Sequence, residues 1–197
     1  YNKFRRAIDI LAGLCFGVIF IILSPIFVLG IKYSSKGPIL FKQKRIGKGE
    51  TIFWMYKLRT MYALSEDGSA ELEGAEFAKN NDTRITWIGK FLRKTRIDEL
   101  PQAWNLLKGD ITLIGPRPER PEITKELIKQ MPYYPLRHTV KQGITGWAAV
   151  HQHYTDTLET SLQKLQYDLY YIKNRSALLD LSIVLKTINV VLRGMGQ

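Results

Sequence analysis

The chain has 197 residues, 45% hydrophobic and 24% charged, which is long enough for a core and too apolar for a disordered tail. Its 29 Lys and Arg exceed 18 Asp and Glu, giving a formal charge of +11, and residues 1–60 hold most of the excess: Lys3, Arg5, Arg6, Lys32, Lys36, Lys42, Lys44, Arg45, Lys48, Lys57 and Arg59 face only Asp9 and Glu50. That end is expected to meet something anionic. The single cysteine, Cys15, excludes an internal disulfide and a cysteine-based zinc site, and the count suits a reducing cytoplasm.

Ile10 to Ile31 is a run of 22 residues without a charge, about 33 Å as a straight helix and so long enough to span a bilayer. Ser24-Pro25 interrupts it, and proline removes a helix hydrogen bond and predicts a bend. Basic residues flank both ends, so the positive-inside rule favours a helix that enters, bends and leaves on the cytoplasmic side. The reading adopted is a re-entrant helix-break-helix hairpin over residues 1–36, followed by a cytoplasmic domain over 37–197. A kinked transmembrane helix and a buried core helix remain as alternatives, because spanning helices tolerate proline.

Gly37–Phe41 and Thr51–Tyr56 read as short strands of a hairpin around Gly47-Lys48-Gly49. Residues 65–82 are acidic and polar, a surface loop or short helix. Trp87, Ile88, Phe91 and Leu92 have helical spacing, and that helix is expected to end near Thr95. Asp98 is a candidate N-cap for the next helix, with Pro101 in its first turn and Gly109 as its stop. Ile111–Ile114 is a short strand, and Gly115-Pro116-Arg117-Pro118 ends it. Leu158, Leu162, Leu165, Leu169 and Ile172 form an amphipathic stripe read as core, closing near Asn174. Leu178–Leu192 is apolar-rich and suits either core or a membrane interface. The fold class is therefore α+β and helix-rich, with a small β element.

Asp98 and Glu99 are adjacent carboxylates just after Arg93, Lys94 and Arg96. Cations and helix amides would keep such a carboxylate ionised, which suits a nucleophile or metal ligand better than a general acid. Spacing alone favours the plainer reading, an N-cap followed by a first-turn glutamate. Arg117 between two prolines is built to grip phosphate oxygens, or is an exposed turn residue. Lys57 and Arg59 at i and i+2 would share one strand face, either as a phosphate clamp or as a solvated surface. Three cationic clusters and a carboxylate pair beside an apolar anchor point to a phosphorylated, membrane-borne substrate. Trp54, Tyr56, Tyr133 and Tyr134 are able to stack on bases, but the apolar run argues against nucleic acid. His138, His151 and His153 lack the spacing of a metal site and are read as surface or core residues.

The residues in order resemble the bacterial sugar transferases, the monotopic phosphoglycosyl transferases. The likeness runs through Ser24-Pro25, Phe41–Gly47, Lys57-Leu58-Arg59-Thr60-Met61, Asp82–Thr86, Asp98-Glu99-Leu100-Pro101-Gln102, Gly115-Pro116-Arg117-Pro118, Gly143-Ile144-Thr145-Gly146-Trp147 and Tyr167–Tyr171. It implies transfer of a sugar 1-phosphate from a UDP-sugar to polyprenyl (undecaprenyl) phosphate on the cytoplasmic face of the bacterial inner membrane, with release of UMP. The glycan begun this way would be an exopolysaccharide, capsule or O-antigen. The resemblance also implies that Asp98 is the nucleophile and that Glu99 with Asp98 holds Mg²⁺; the two-step chemistry assigns Lys57, Arg59, Arg93 and Arg117 to phosphate contacts, and Asp168, at a recurring family position, is open to ligand support or structural hydrogen bonding. Ser24 and Pro25 would mark the membrane helix break. Gln142 and Ala149 stand where family members commonly have proline and glutamine. The likeness is stronger to the catalytic part of a large member, with membrane lipid as a partner and a homodimer compatible with it. The rival reading is a non-catalytic scaffold of the same fold that binds polyprenyl phosphate.

Overall fold

A computed structural model describes residues 1–66, 68–70, 82–152 and 157–192. Most of the acidic segment 65–82, together with His153, therefore lies outside the described residues.

Helix α1 (Asn2–Ser34) is one uninterrupted α-helix with Pro25 inside it. The break expected at Ser24-Pro25 does not interrupt the helix, and the local chemistry explains why. Proline has no amide for the carbonyl four residues back, which is Ile21, and the Ser24 hydroxyl donates to that Ile21 oxygen at 3.1 Å instead. Both ends of α1 rest on the rest of the molecule. Near the start, Asp9 is buried and accepts from Thr112 Oγ1 and Leu113 N, each at 2.8 Å. Near the end, Phe27 and Ile31 pack with Leu58, Ile88 and Leu92. From Asp9 to Ile31, Ala12, Phe16, Phe20 and Leu23 are partly buried against the same body, while on the other face Leu14, Val18, Ile19, Ile21, Ile22, Ile26 and Leu29 are exposed. By length and composition α1 is able to cross a membrane.

Strands β1 (Leu40–Ile46) and β2 (Ile52–Leu58) form the expected antiparallel hairpin, with β1 starting later than its sequence signal. Phe53 and Met55 of β2 face inward onto Leu106 and Ile111. Helix α2 (Trp87–Thr95) starts at the Thr86 N-cap, whose side chain accepts from Gly89 N. At Gly89 a Cβ would come within 1.9 Å of the Thr60 oxygen, so glycine lets α2 lie against the backbone just past β2. Ile88 and Leu92 are buried, whereas Trp87 and Phe91 are exposed.

A 3₁₀ turn (Ile97–Gln102) leads into α3 (Ala103–Lys108), which Gly109 ends in the left-handed conformation at φ 88°. Asp98 is not an N-cap, because the chain is already wound tightly at Ile97 and Asp98 lies inside the turn. Strand β3 (Thr112–Ile114) pairs in parallel with β4 (Gly143–Thr145), and α4 (Pro121–Gln130) and a second 3₁₀ turn (Tyr134–Thr139) lie between them. After α5 (Trp147–His151) come α6 (Leu158–Lys173) and α7 (Ala177–Leu192). The α6 stripe is only partly core, since Leu165 is buried while Leu158 and Leu162 are exposed. On α7, Ile183 is buried, but Leu178, Leu181, Leu185 and Ile188 form an exposed apolar face.

Candidate active site

The site is built where α2 turns into the first 3₁₀ segment. Arg96 takes a left-handed conformation, φ 59°, and accepts the amide of Glu99 on its carbonyl, which reverses the chain. The reversal drops Asp98 and Glu99 beside β2, next to Lys57. Across from them, the loop after β3 brings in Arg117.

Glu99 gathers the cations. Its Oε1 accepts from Arg117 at 2.6 Å, from Lys57 Nζ at 3.3 Å and from Arg96 at 3.5 Å. Burial works to raise this carboxyl, but Arg117, Lys57 and Arg96 outweigh it and hold Glu99 well below the usual carboxylate range. Glu99 in turn holds Arg117 above its ordinary value. Lys57 is pushed down by burial, against the pull of Glu99.

Asp98 is treated in the opposite way. It is 7% exposed, and its Oδ1 is buried without a hydrogen-bond partner. Burial, aided by the neighbouring Glu99 charge, pushes Asp98 up to about 6 against the attraction of Lys57, Arg96 and Arg93. The sequence reading expected cations to keep the carboxylates ionised; that holds for Glu99, while desolvation dominates at Asp98. A carboxylate with an unpaired buried oxygen is destabilised as an anion and is correspondingly reactive toward an electrophile. Arg93 completes the surround: Nε donates to Thr60 Oγ1 at 2.9 Å, and its charge lowers Asp98.

Two other residues singled out from sequence lie elsewhere. Arg59 follows the end of β2, so the strand alternation that would have paired it with Lys57 does not reach it. It is buried, and Nη2 donates to Ser35 O at 2.7 Å and Ile31 O at 3.4 Å, fastening the carboxyl end of α1. Asp168, on α6, is buried and pairs with Arg137, whose Nη2 and Nε lie at 2.7 and 3.1 Å from Asp168 Oδ2. Ser24 and Pro25 sit in α1 as described above.

The sequence reading missed Arg137 and Glu119, and it left Arg96 and Arg45 out of the site. Arg137 is fully buried in an unremarkable Leu-Arg-His stretch, and nothing local marks it. Glu119 joins Lys164 and Arg45, which hold its carboxyl down at about 2 although burial alone would raise it. Gln142, at the position that departs from the family pattern, is buried and donates to the carbonyls of Arg137 and Val140 at 2.9 and 3.1 Å.

Known proteins match this chain along nearly its whole length. A protein of Aeromonas hydrophila named UDP-N-acetylgalactosamine-undecaprenyl-phosphate N-acetylgalactosaminephosphotransferase is 44% identical over 196 residues, which is 100% of this chain and 45% of that protein. A UDP-glucose:undecaprenyl-phosphate glucose-1-phosphate transferase of Escherichia coli K12 is 36% identical over 93% of this chain and 39% of its own length. One of the same name from Caulobacter vibrioides is 38% identical over 93% of this chain and 68% of its own length. The chain thus spans less than half of the first two proteins. The bacterial sugar transferase family matches residues 1–194, from the foot of α1 past the end of α7, and with that coverage the chain belongs to the bacterial sugar transferase family.

Proposed function

We propose that this domain moves a sugar 1-phosphate from a UDP-sugar to polyprenyl (undecaprenyl) phosphate and releases UMP, at the cytoplasmic face of the bacterial inner membrane. This step would begin an exopolysaccharide, capsule or O-antigen. The observation that carries the reading is the buried, unpaired Asp98 oxygen ringed by Lys57, Arg93, Arg96 and Arg117. A reactive carboxylate inside a cationic wall suits displacement at phosphorus, where the wall offsets charge on the transferring phosphoryl group. The names of the relatives supply the substrate class.

The reaction proceeds in two displacements. An Asp98 carboxylate oxygen attacks the phosphorus that bears the sugar, and the phosphoanhydride bond breaks with its electron pair leaving on UMP. An oxygen of polyprenyl phosphate then attacks the same phosphorus, the bond to Asp98 breaks and the carboxylate is restored. Arg117 and Lys57, already held at Glu99, lie beside the phosphates throughout. The carboxylates Asp98 and Glu99 are hard oxygen donors of the kind Mg²⁺ accepts together with substrate phosphates. The described residues bring no third His, Cys, Asp or Glu to them, so substrate oxygens would complete the shell. When bound, the ion would neutralise charge on the departing UMP.

We also propose that α1 dips into the cytoplasmic leaflet and bends at Ser24-Pro25, where the Ser24 hydroxyl stands in for the missing proline amide. Support comes from the packing of one face of α1 on the body from Asp9 to Ile31 and from the exposed apolar residues on its other face. Tags before Tyr1 and after Gln197 would then both be cytoplasmic, and labelling on opposite sides overturns this topology.

The deciding experiment is UMP release from a panel of UDP-sugars with Mg²⁺ and undecaprenyl phosphate, comparing the chain with Asp98→Asn. Release that depends on Asp98 and on one donor supports the reading. Polyprenyl phosphate binding that is indifferent to Asp98, with no release from any donor, supports the scaffold instead.

A further inference from the structure

We propose that the buried Arg137–Asp168 pair is a positioning device that sets Arg117 against Glu99, so that Asp168 serves the reaction through the Gly115–Glu119 loop and does not touch substrate. This rests on the transferase reading above. The geometry is continuous from one end to the other. Asp168 Oδ2 holds Arg137 by Nη2 at 2.7 Å and Nε at 3.1 Å, with the two side chains 2% and 0% exposed. Arg137 Nη1 donates to the Tyr134 hydroxyl at 2.6 Å, which fixes the plane of the guanidinium. Its Nη2 also donates to the backbone carbonyl of Arg117 at 2.8 Å.

Around that point the loop is gripped on each side. Gly143 N donates to Pro116 O at 2.8 Å, Arg45 Nη1 to Pro118 O at 3.1 Å and Ile46 N to Glu119 O at 3.0 Å. Pro116 and Pro118 fix their own φ, leaving Arg117 as the one flexible link between two rigid residues. Arg117 then reaches outward, with Nη1 on Ile144 O at 3.2 Å and Nη2 on Glu99 at 2.6 Å.

Stability alone does not account for an ionic pair at this place. Apolar side chains of similar volume often replace a buried pair at no cost, since two desolvated charges recover little net energy. What an apolar pair does not provide is direction. The planar fork of Arg137 aims one nitrogen at Asp168 and at the Arg117 carbonyl together, and a shift of that carbonyl is passed on to the guanidinium that meets Glu99.

The test uses the whole chain in lipid nanodiscs and the double variant Arg137→Met/Asp168→Leu, which leaves no orphaned charge. Melting temperature, kcat and KM for UMP release, and labelling of Arg117 by an arginine-specific dicarbonyl are read together. The expected result is a melting temperature near that of the parent, kcat reduced about tenfold or more with KM within about twofold, and faster labelling of Arg117. A folded double variant with parental kcat and parental Arg117 labelling overturns the proposal. Should the double variant not fold, Arg137→Lys keeps the charge but lacks the fork, and the same two readouts decide. The labelling does not require turnover: if the parent releases no UMP, the transferase reading fails while Arg117 labelling still decides whether Arg137 and Asp168 position that side chain.

Discussion

Two ionic clusters lie on either side of the Gly115–Glu119 loop, and they are finished to different degrees. Around Arg137, two guanidinium nitrogens bind Asp168, the third binds Tyr134, and the pair is sealed from solvent. Around Glu99, three cations crowd one carboxylate oxygen, while the next residue, Asp98, keeps a buried oxygen with no partner. The first cluster has its charge balanced internally and holds the backbone. The second carries more positive charge than its two carboxylates balance, which is what the proposed phosphoryl transfer requires. Completeness of hydrogen bonding, more than burial or charge, is what separates the two clusters.

The sharpest way to break the comparison is Asp98→Asn. Under the proposed reaction UMP release falls by about a thousandfold or more. Because the folded Asp98 carboxyl lies above its unfolded value, its ionised form costs stability once pH exceeds that unfolded value, and the fold is penalised further as pH rises through about 6. The amide removes this penalty, so its melting temperature at pH 7.5 should equal or exceed that of the parent, measured by differential scanning fluorimetry. The sealed cluster should respond in reverse. Asp168→Ala strands a buried guanidinium and is expected to cost about 3–5 kcal/mol, read as a lower denaturation midpoint.

Smaller changes sharpen the distinction. Arg117→Lys keeps the charge but loses the fork, and kcat should drop about tenfold with the melting temperature nearly unchanged. The pH profile of UMP release is the mildest probe. With Asp98 pushed up to about 6, protonation removes the nucleophile on the acid side, so the rate should decline about tenfold per unit below that point and level off above it. A profile flat down to pH 5 would contradict the desolvated state of Asp98.

Local signals in the sequence were read well. Helix α2 ends at Thr95, Gly109 stops α3 and α6 closes before Asn174, because each boundary depends on neighbouring residues alone. The carboxylate pair and Lys57, Arg93 and Arg117 also stood out, and the fold brings them together. What the sequence hid depends on partners far along the chain. The Arg59 role follows from the Ser35 carbonyl just past α1, 24 residues earlier, and the parallel pairing of β3 with β4 closes over α4 and the second 3₁₀ turn. The burial of Arg137 arises only when α6 folds back with Asp168. The break expected at Pro25 does not interrupt the helix for a more local reason: the residue beside it offsets the lost hydrogen bond.

Cys15 lies exposed on α1, next to Leu14 and one turn from Leu11, in a chain that has no other cysteine. A nitroxide attached there needs no background mutations, and its relaxation by dissolved oxygen against a water-soluble nickel chelate reports immersion depth directly. The domain thus carries its own depth gauge for testing the proposed immersion of α1.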